Sequence, residues 1–579
     1  MSRSISRTTV RFLVEHHVLV ALLSISLVGG TCWLAKGRGV KSWLFRVVGI
    51  SHSVRRQPPR AIVSRPADGE RAVPPDTRVA VKVYLPNGAL DPATLNSGSV
   101  TLTRDGDNAV IPASVGTSAD GVFITLKPAA RLDGDTRYTL RITNGVRDRA
   151  GTKFLPLALS FTTAGVPDPS IRFEKVALPA AAGAGFTCVQ IGPDDRLYAG
   201  ADDGGIFRYD VRPDGTLSSP LVITSLQSAS GGPRLLTGIC FDPGSDPRQP
   251  ALWASHGHYG FQDAPDWSGK VSELSGPDLE RVRDVVIHLP RSVRDHLTNQ
   301  PSVGPDGALY IPQPSNTAFG APDALWGERP ERVLSATILR LDVANTCDSP
   351  IDAKTADGGG GYDPEEAGAP LTVYADGARL AYDLLWHSNG HLYAPVNGSS
   401  AGGNTPAGHG APALQNVPTS QHDWLFKIRP GRYYGHPNPQ RGHYVLNGGN
   451  PTAGNDPAEV PLYPVGTRPD LDWDPPVYDF GDHVSPNGII EYNGSAFGGR
   501  LKNKLLVCRY NAGSDILCLS LDDEGNVKSV QAGIPGLTGL TNPLDLTEDV
   551  RTGCIYVAEY GARRVTLLRP VEVPVVAGR

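Results

Sequence analysis

The run RSVRDHLTNQPSVGPDGALYI, residues 291–311, sets a histidine, His296, after Asp295 and just before a turn and a strand signal. A free imidazole has a pKa of about 6.5, so much of it is neutral at working pH and able to take a proton from a hydroxyl. Asp295 would orient that ring or simply be solvated. Taken alone, His296 also has a plain structural reading. In ASHGHYG, His256 and His258 stand two apart, on one face of a strand, as two metal ligands would. No third histidine or carboxylate accompanies them in the sequence, so a structural or pocket-lining role competes. Asp242, Asn299, Asn487 and Asp545 are the residue types that supply oxygen ligands to calcium. The glycine run after Asp357 lacks both the strand-to-helix context and the Lys-Ser/Thr of a phosphate loop. No Gly-x-Ser-x-Gly nucleophile elbow stands out either.

The elements that would position these residues are β-strands. With Gly at 66 and Pro at 51, and the initiator as the only Met, turn signals greatly outnumber helix signals. Between residues 60 and 165, short alternating runs such as RVAVKVYLP, GVFITLKP and TRYTLRITNGV are bounded by Gly, Pro, Asn or Asp, as half-buried strands of a sandwich are. From residue 171 to 575 another pattern repeats. A turn precedes a short Leu/Ile strand near Leu197, Leu252, Leu309, Leu392, Leu505 and Ile555. One four-stranded sheet per repeat, closed in a ring, predicts a six-bladed β-propeller, with His296 just ahead of the third inner strand and pointing toward a pocket. The inserts DGGGGYDPEEAGAP and SSAGGNTPAGHGAPALQNVP read as long loops over one face, where such rings build their sites.

Two resemblances follow from quoted motifs. Leu132-x-x-x-Thr136-x-Tyr138-x-Leu140, with VRDRAGTKF and SFTTAG, resembles the bacterial SbsA-type Ig-like domain, which implies a spacer or adhesion module. RDHLTNQPSVGPDGALYI, YADGARLAYDLLWHSNGHLYAPVNGSS and HVSPNGIIEYNG resemble, in order and spacing, the glucose/sorbosone dehydrogenase family of six-bladed quinoproteins. That resemblance implies pyrroloquinoline quinone (PQQ) and calcium as cofactors. It makes His296 the general base and Arg379 the cation on the quinone oxygens, with Gly398 and Ser399 lending backbone carbonyls to calcium. The chain departs from the family at several places. Leu380 stands where the soluble glucose dehydrogenases have asparagine, and Ser315 replaces an acidic residue. Asn511 takes the place of a cofactor-binding lysine, and Asn542 and Leu544 that of two arginines. Arg234, His483 and Arg509 are the alternative partners for the cofactor's carboxylates, with surface or strand-end roles as competing readings.

A formal charge of -5 and the lack of a Lys/Arg stripe exclude a nucleic-acid partner. Residues 18–35, VLVALLSISLVGGTCWLA, form an uncharged stretch long enough to span a bilayer, with basic residues on both sides. Residues 1–50 are therefore read as a transmembrane anchor, or alternatively a signal segment, followed by a linker over 51–59, with the soluble part exported to the periplasm or surface of a bacterium. None of the seven cysteines forms a C-x-x-C pair. Cys508 and Cys518 would either face each other across a hairpin and oxidise or remain buried thiols. The leading expectation is a membrane-anchored oxidoreductase acting on a sugar or related alcohol and passing electrons to a quinone or cytochrome. Two alternatives remain: a non-catalytic propeller that binds carbohydrate or protein, and a calcium-dependent lactonase-type hydrolase.

Overall fold

The structure is a computed structural model that describes residues 57–571, apart from 67, 76, 119–120 and 453–457. The 18–35 stretch, the 1–50 anchor and most of the 51–59 linker lie outside the described residues. Among the described residues no helix is long and apolar enough to cross a membrane. The described residues are nearly all-β, with Ser225–Ser230 as a short α-helix among strands.

The first strands pair as Arg60–Arg65, Val79–Tyr84, Phe123–Pro128 and Ala113–Thr117, in that spatial order. A second sheet joins Val100–Arg104, Arg137–Ile142 and Leu157–Thr162. Alternation turns Val79, Val81 and Val83 inward, where they meet Leu102, Leu140 and Phe161 of the other sheet in one core. The sandwich is not held off as a free spacer. The Gly165 amide donates to the Val530 carbonyl at 2.8 Å, and Gly165 bridges Gln531 in parallel. Ala72 and Ala164 belong to the same hydrophobic cluster as Phe480, Val484 and Val530, and Arg71 lies 3.7 Å from Asp479.

Six further sheets follow. Their first strands are Phe186–Ile191, Arg234–Phe241, Ser302–Val303, Leu385–Trp386, Pro486–Tyr492 and Pro543–Asp549. These six touch in chain order, and the sixth also touches the first. The six Leu/Ile repeats each fall on the second strand of a sheet. Apart from strand ends such as His258, those strands are buried, as Leu197–Ala201 and Cys554–Glu559 show, because both faces lie against other sheets. The sixth sheet is completed by Phe173–Ala182, which pairs antiparallel with Arg564–Pro570 and so joins the start of this region to its end.

Close approach of the inner strands depends on two glycines. A Cβ on Gly238 would enter the backbone of Gln300, and one on Gly488 would lie 2.7 Å from Asp545 Cα. The hairpin after the fifth inner strand decides between the two readings of the cysteines in favour of buried thiols: Arg509 pairs with Asp515, so Cys508 faces Ile516 and Cys518 faces Leu506. Both cysteines are buried free thiols in one apolar cluster, and burial raises the pKa of each.

Candidate functional site

The links between the outer strand of one sheet and the inner strand of the next carry the candidate residues. His296 lies between Arg281–Leu289 and Ser302–Val303, and Arg379 between Leu371–Asp376 and Leu385–Trp386. Beside these links lies a chamber of about 180 Å³. Its walls carry hydroxyls (Thr237, Tyr510, Tyr560), amides (Asn299, Asn487) and leucines (Leu297, Leu380). Asp295 is the single charged residue among them. A larger cavity of about 590 Å³, beside Asp376, Arg441 and Asp470, lies elsewhere and includes none of the candidates.

The sequence expectation that His296 points into the pocket needs correction. Asp295, Leu297 and Asn299 line the chamber, and in an extended segment the residues between them face the other way. His296 is therefore only 3% exposed and packs against the Trp326 ring at 4.3 Å between centroids. Its Nδ1 lies 2.9 Å from the Ser315 carbonyl and 3.2 Å from Ser315 Oγ. A carbonyl can only accept, so Nδ1 carries the hydrogen and Nε2 presents its lone pair. Among the described residues Nε2 has no hydrogen-bond partner. Burial, reinforced by the positive charge of Arg379, lowers the imidazole pKa to about 3 and keeps the ring neutral.

Arg379 is 7% exposed beneath the same indole, its guanidinium 5.7 Å from the Trp326 ring. Nε donates to the Ala318 carbonyl at 3.2 Å and Nη1 to the Gly398 carbonyl at 3.0 Å, while Nη2 makes no hydrogen bond among the described residues. Burial lowers its pKa to about 10. Gly398 and Ser399 do lie beside Arg379, but their carbonyls already accept hydrogen bonds, the first from the guanidinium and the second from the Gln421 amide at 2.8 Å. Gly398 N in turn donates to Asp423 at 2.7 Å, and Ser485 N does so at 2.8 Å. Burial pushes the Asp423 carboxyl up to about 7.

The remaining candidates separate. Arg234 turns from the chamber to His256 Nδ1 at 3.0 Å and the Ser268 carbonyl at 3.0 Å. His256 also meets Ser272 at 2.9 Å, which makes it a buried structural residue, whereas His258 is exposed at the strand end. Arg509 is fully buried in a two-point pair with Asp515, at 2.7 and 2.8 Å. His483 and Asn511 are exposed, and Asn542 Nδ2 donates to the Tyr510 carbonyl at 3.0 Å. Leu380 and Leu544 both line the chamber. Of the four candidate calcium ligands, Asn299 and Asn487 line the chamber, Asp545 is buried, and Asp242 sits in a separate cavity with Trp253 and Val303.

Trp326 was not singled out by the sequence. It sits in the insert between Leu309–Gln313 and Thr337–Leu341, on a single 3-10 turn capped by Asp323, whose Oδ1 accepts from Trp326 N at 3.0 Å. Gly327 closes that turn at φ 66°. The cap-and-glycine pattern in PDALWG is the signal that marks it. Glu331 anchors the insert by accepting from Asn316 N and Thr317 N, and it pairs with buried His436 at 2.9 Å. Burial alone would raise the Glu331 carboxyl, but the His436 bond and charge, with nearby hydroxyls, hold it at about 2.

Residues 55–163 match the bacterial Ig-like domain family Big_5. No curated protein sequence matches the chain. Similar solved structures include the putative oxidoreductase (glucose dehydrogenase) of Thermus thermophilus, 19% identical, covering 69% of this chain and 100% of its own, with a TM-score of 0.43. PQQ-bound aldose sugar dehydrogenase of Streptomyces coelicolor is 17% identical, covering 70% and 100% at a TM-score of 0.43. The holo PQQ domain of pyranose dehydrogenase from Coprinopsis cinerea is 11% identical, covering 70% and 98% at 0.45.

PQQ is a tricarboxylate, and each carboxylate needs a cation or several donors. Asp295 is the charged residue of the chamber wall, while Arg234 and Arg509 are turned to other partners. The residues present do not fit that cofactor in this arrangement. Calcium at Gly398 and Ser399 would have to share a carbonyl with the Arg379 guanidinium, and among the described residues no three His, Cys, Asp or Glu side chains cluster as metal ligands.

Proposed function

We propose that the six sheets close into a six-bladed β-propeller and that the axial chamber receives a sugar or related polyol. The observation that carries this reading is the composition of the wall. Hydroxyls and amides stand beside leucines and aromatic rings, with Asp295 as the single carboxylate. Such a surface offers donors, acceptors and an apolar patch to a neutral polyhydroxy ligand and repels a polyanion. The bacterial Ig-like match and the apolar 18–35 stretch support an exported protein held at a bacterial membrane.

Two uses of a bound sugar are open to this geometry. Oxidation is supported by the neutral imidazole, whose free Nε2 would take the hydroxyl proton, and by the free Nη2 of Arg379 beside it. That use requires Trp326 to move aside and a quinone, bound beside the sugar, to take the hydride from the carbinol carbon; a cytochrome could then reoxidise the quinol in one-electron steps. Retention without chemistry is supported by the turning of His296 and Arg379 away from the chamber. The deciding experiment is a titration of the purified protein with aldoses and polyols by calorimetry, followed by dye-linked oxidation with and without added PQQ and calcium. Saturable sugar binding is expected. No binding to any member of the panel at millimolar concentration would sink the reading, and oxidation lost in His296→Ala would assign the first use.

A further inference from the structure

The outer strand of the third sheet, Leu371–Asp376, gains a neighbour from the long link between His422–Ile428 and Tyr478–Asp482. Gly431 N donates to the Tyr374 carbonyl at 2.8 Å, Asp376 N to the Arg432 carbonyl at 3.0 Å and Tyr434 N to the Asp376 carbonyl at 2.8 Å. Residues 441–443 and 468–472 of the same link, with His409, wall in the cavity of about 590 Å³ beside this strand. That volume suits a small molecule, and the cavity shares no residue with the chamber. Its charges divide into paired and unpaired ones. Asp470 is satisfied, since Oδ2 accepts from Tyr444 N at 2.9 Å and Val445 N at 3.0 Å while Oδ1 lies 2.6 Å from His409 Nδ1. Asp376 Oδ2 accepts from Arg441 Nε at 2.6 Å, which leaves both terminal nitrogens of that guanidinium without a hydrogen bond among the described residues.

Arg468 has no hydrogen bond or ion pair among the described residues. The Asp472 carboxylate accepts no hydrogen bond there either, and the basic group near it is His443 Nε2, at 4.0 Å. Arg468 and Asp472 are close in sequence and line the same cavity, yet they do not pair with each other. The His443 ring is fixed in the wall by stacking on Tyr433 at 4.3 Å between centroids, and its Nδ1 is buried without a hydrogen bond. A wall that carries one unpaired cation, one unpaired carboxylate and spare guanidinium donors complements a ligand bearing both charges. A polyanion would meet Asp472, and a polycation would meet Arg468. We propose that this cavity binds a small zwitterion, a free amino acid or a short peptide, with its carboxylate on Arg468 and the terminal nitrogens of Arg441 and its ammonium group on Asp472. The planar guanidinium fork matches a carboxylate, and Val373, Ala375 and Pro469 offer apolar surface to a side chain. The site is independent of the sugar reading.

The test is calorimetric titration of the full chain at pH 7.5 and low salt with leucine, trialanine, N-acetylleucine, leucinamide and gluconate. Saturable one-to-one binding of leucine or trialanine is expected, and which of the two binds tells the free amino acid from the peptide. N-acetylleucine and leucinamide each lack one charge and should bind at least about tenfold more weakly than leucine, or than trialanine where that is the ligand. Arg468→Gln and Asp472→Asn change exposed side chains, so both variants should melt with the parent. Each should weaken the zwitterion at least about tenfold. Asp472→Asn should leave N-acetylleucine unaffected, and Arg468→Gln should leave leucinamide unaffected, because each analogue already lacks the charge that the altered residue meets. No saturable binding of leucine or trialanine at about ten millimolar, single-charge analogues that bind as tightly, variants that bind like the parent, or gluconate as the sole ligand would each overturn the site. Sugar titrations of the same variants should match the parent, so the two readings fail separately.

Discussion

A hydrogen bond to a carbonyl decides what His296 can do. Because Nδ1 donates to Ser315, the ring is locked as one tautomer, and burial beside Arg379 keeps it neutral. Selective ¹⁵N labelling should show Nδ1 protonated and Nε2 bare from pH 5 to pH 8, with no titration in that range; a ring that titrates near 6.5 would refute the assignment. Trp326 covers both His296 and Arg379. Trp326→Ala should therefore increase access, raising any dye-linked sugar oxidation several-fold while costing roughly 3 kcal/mol of stability. Unchanged turnover together with unchanged sugar affinity would remove the indole from the site. The position of His296 was legible in its motif, but the side it faces was not. The alternation in DHLTN allows either Asp295, Leu297 and Asn299 or His296 and Thr298 to look at the axis, and only the neighbouring insert, which supplies Ser315 and Trp326, decides between them.

The sheets were easier to read than the site. Each second strand is apolar on both faces and follows a turn, so the six Leu/Ile repeats mark all six sheets. Strand register was harder, since the cysteines sit at distances that suggest facing pairs while the turn after Arg509 sets a register two residues away. Gly238 marks where the second inner strand meets the third, because nothing larger than hydrogen fits against Gln300. Gly238→Ala should lose about 3 kcal/mol or more, as overpacking of a rigid contact does, measured by urea denaturation. A neutral result would mean that the inner strands can slide apart.

For the molecule as a whole, the contact between the sandwich and the six sheets argues for joint unfolding. Ala72 and Ala164 contribute to the same apolar cluster as Phe480 and Val530, so calorimetry should give one endotherm rather than two. A separate early transition for the sandwich would contradict that. Proton linkage gives another test. Asp423 keeps its proton up to about pH 7 when folded, whereas the unfolded carboxyl releases it near 3.8. Between those values the folded state holds more protons, so this group costs stability as the pH rises. The buried histidines act in the opposite sense: His256 and His296, each lowered to about 3, cost stability as the pH falls from 6.5. Comparing Asp423→Asn with the parent cancels the histidines. The variant should gain relative stability, on the order of a few kcal/mol, between pH 4 and pH 7. A pH-independent difference would show that the carboxyl ionises normally.

The strand that completes the sixth sheet has a further consequence, which lies in the timing of synthesis. Phe173 pairs with Pro570, a separation of 397 residues (570 − 173). At ordinary elongation rates, roughly 20 to 80 s pass between the emergence of one strand and the other. Throughout that interval Phe173–Ala182 has an open edge and no partner of its own. Until Arg564–Pro570 is made, that edge is open to pairing with a strand of another chain.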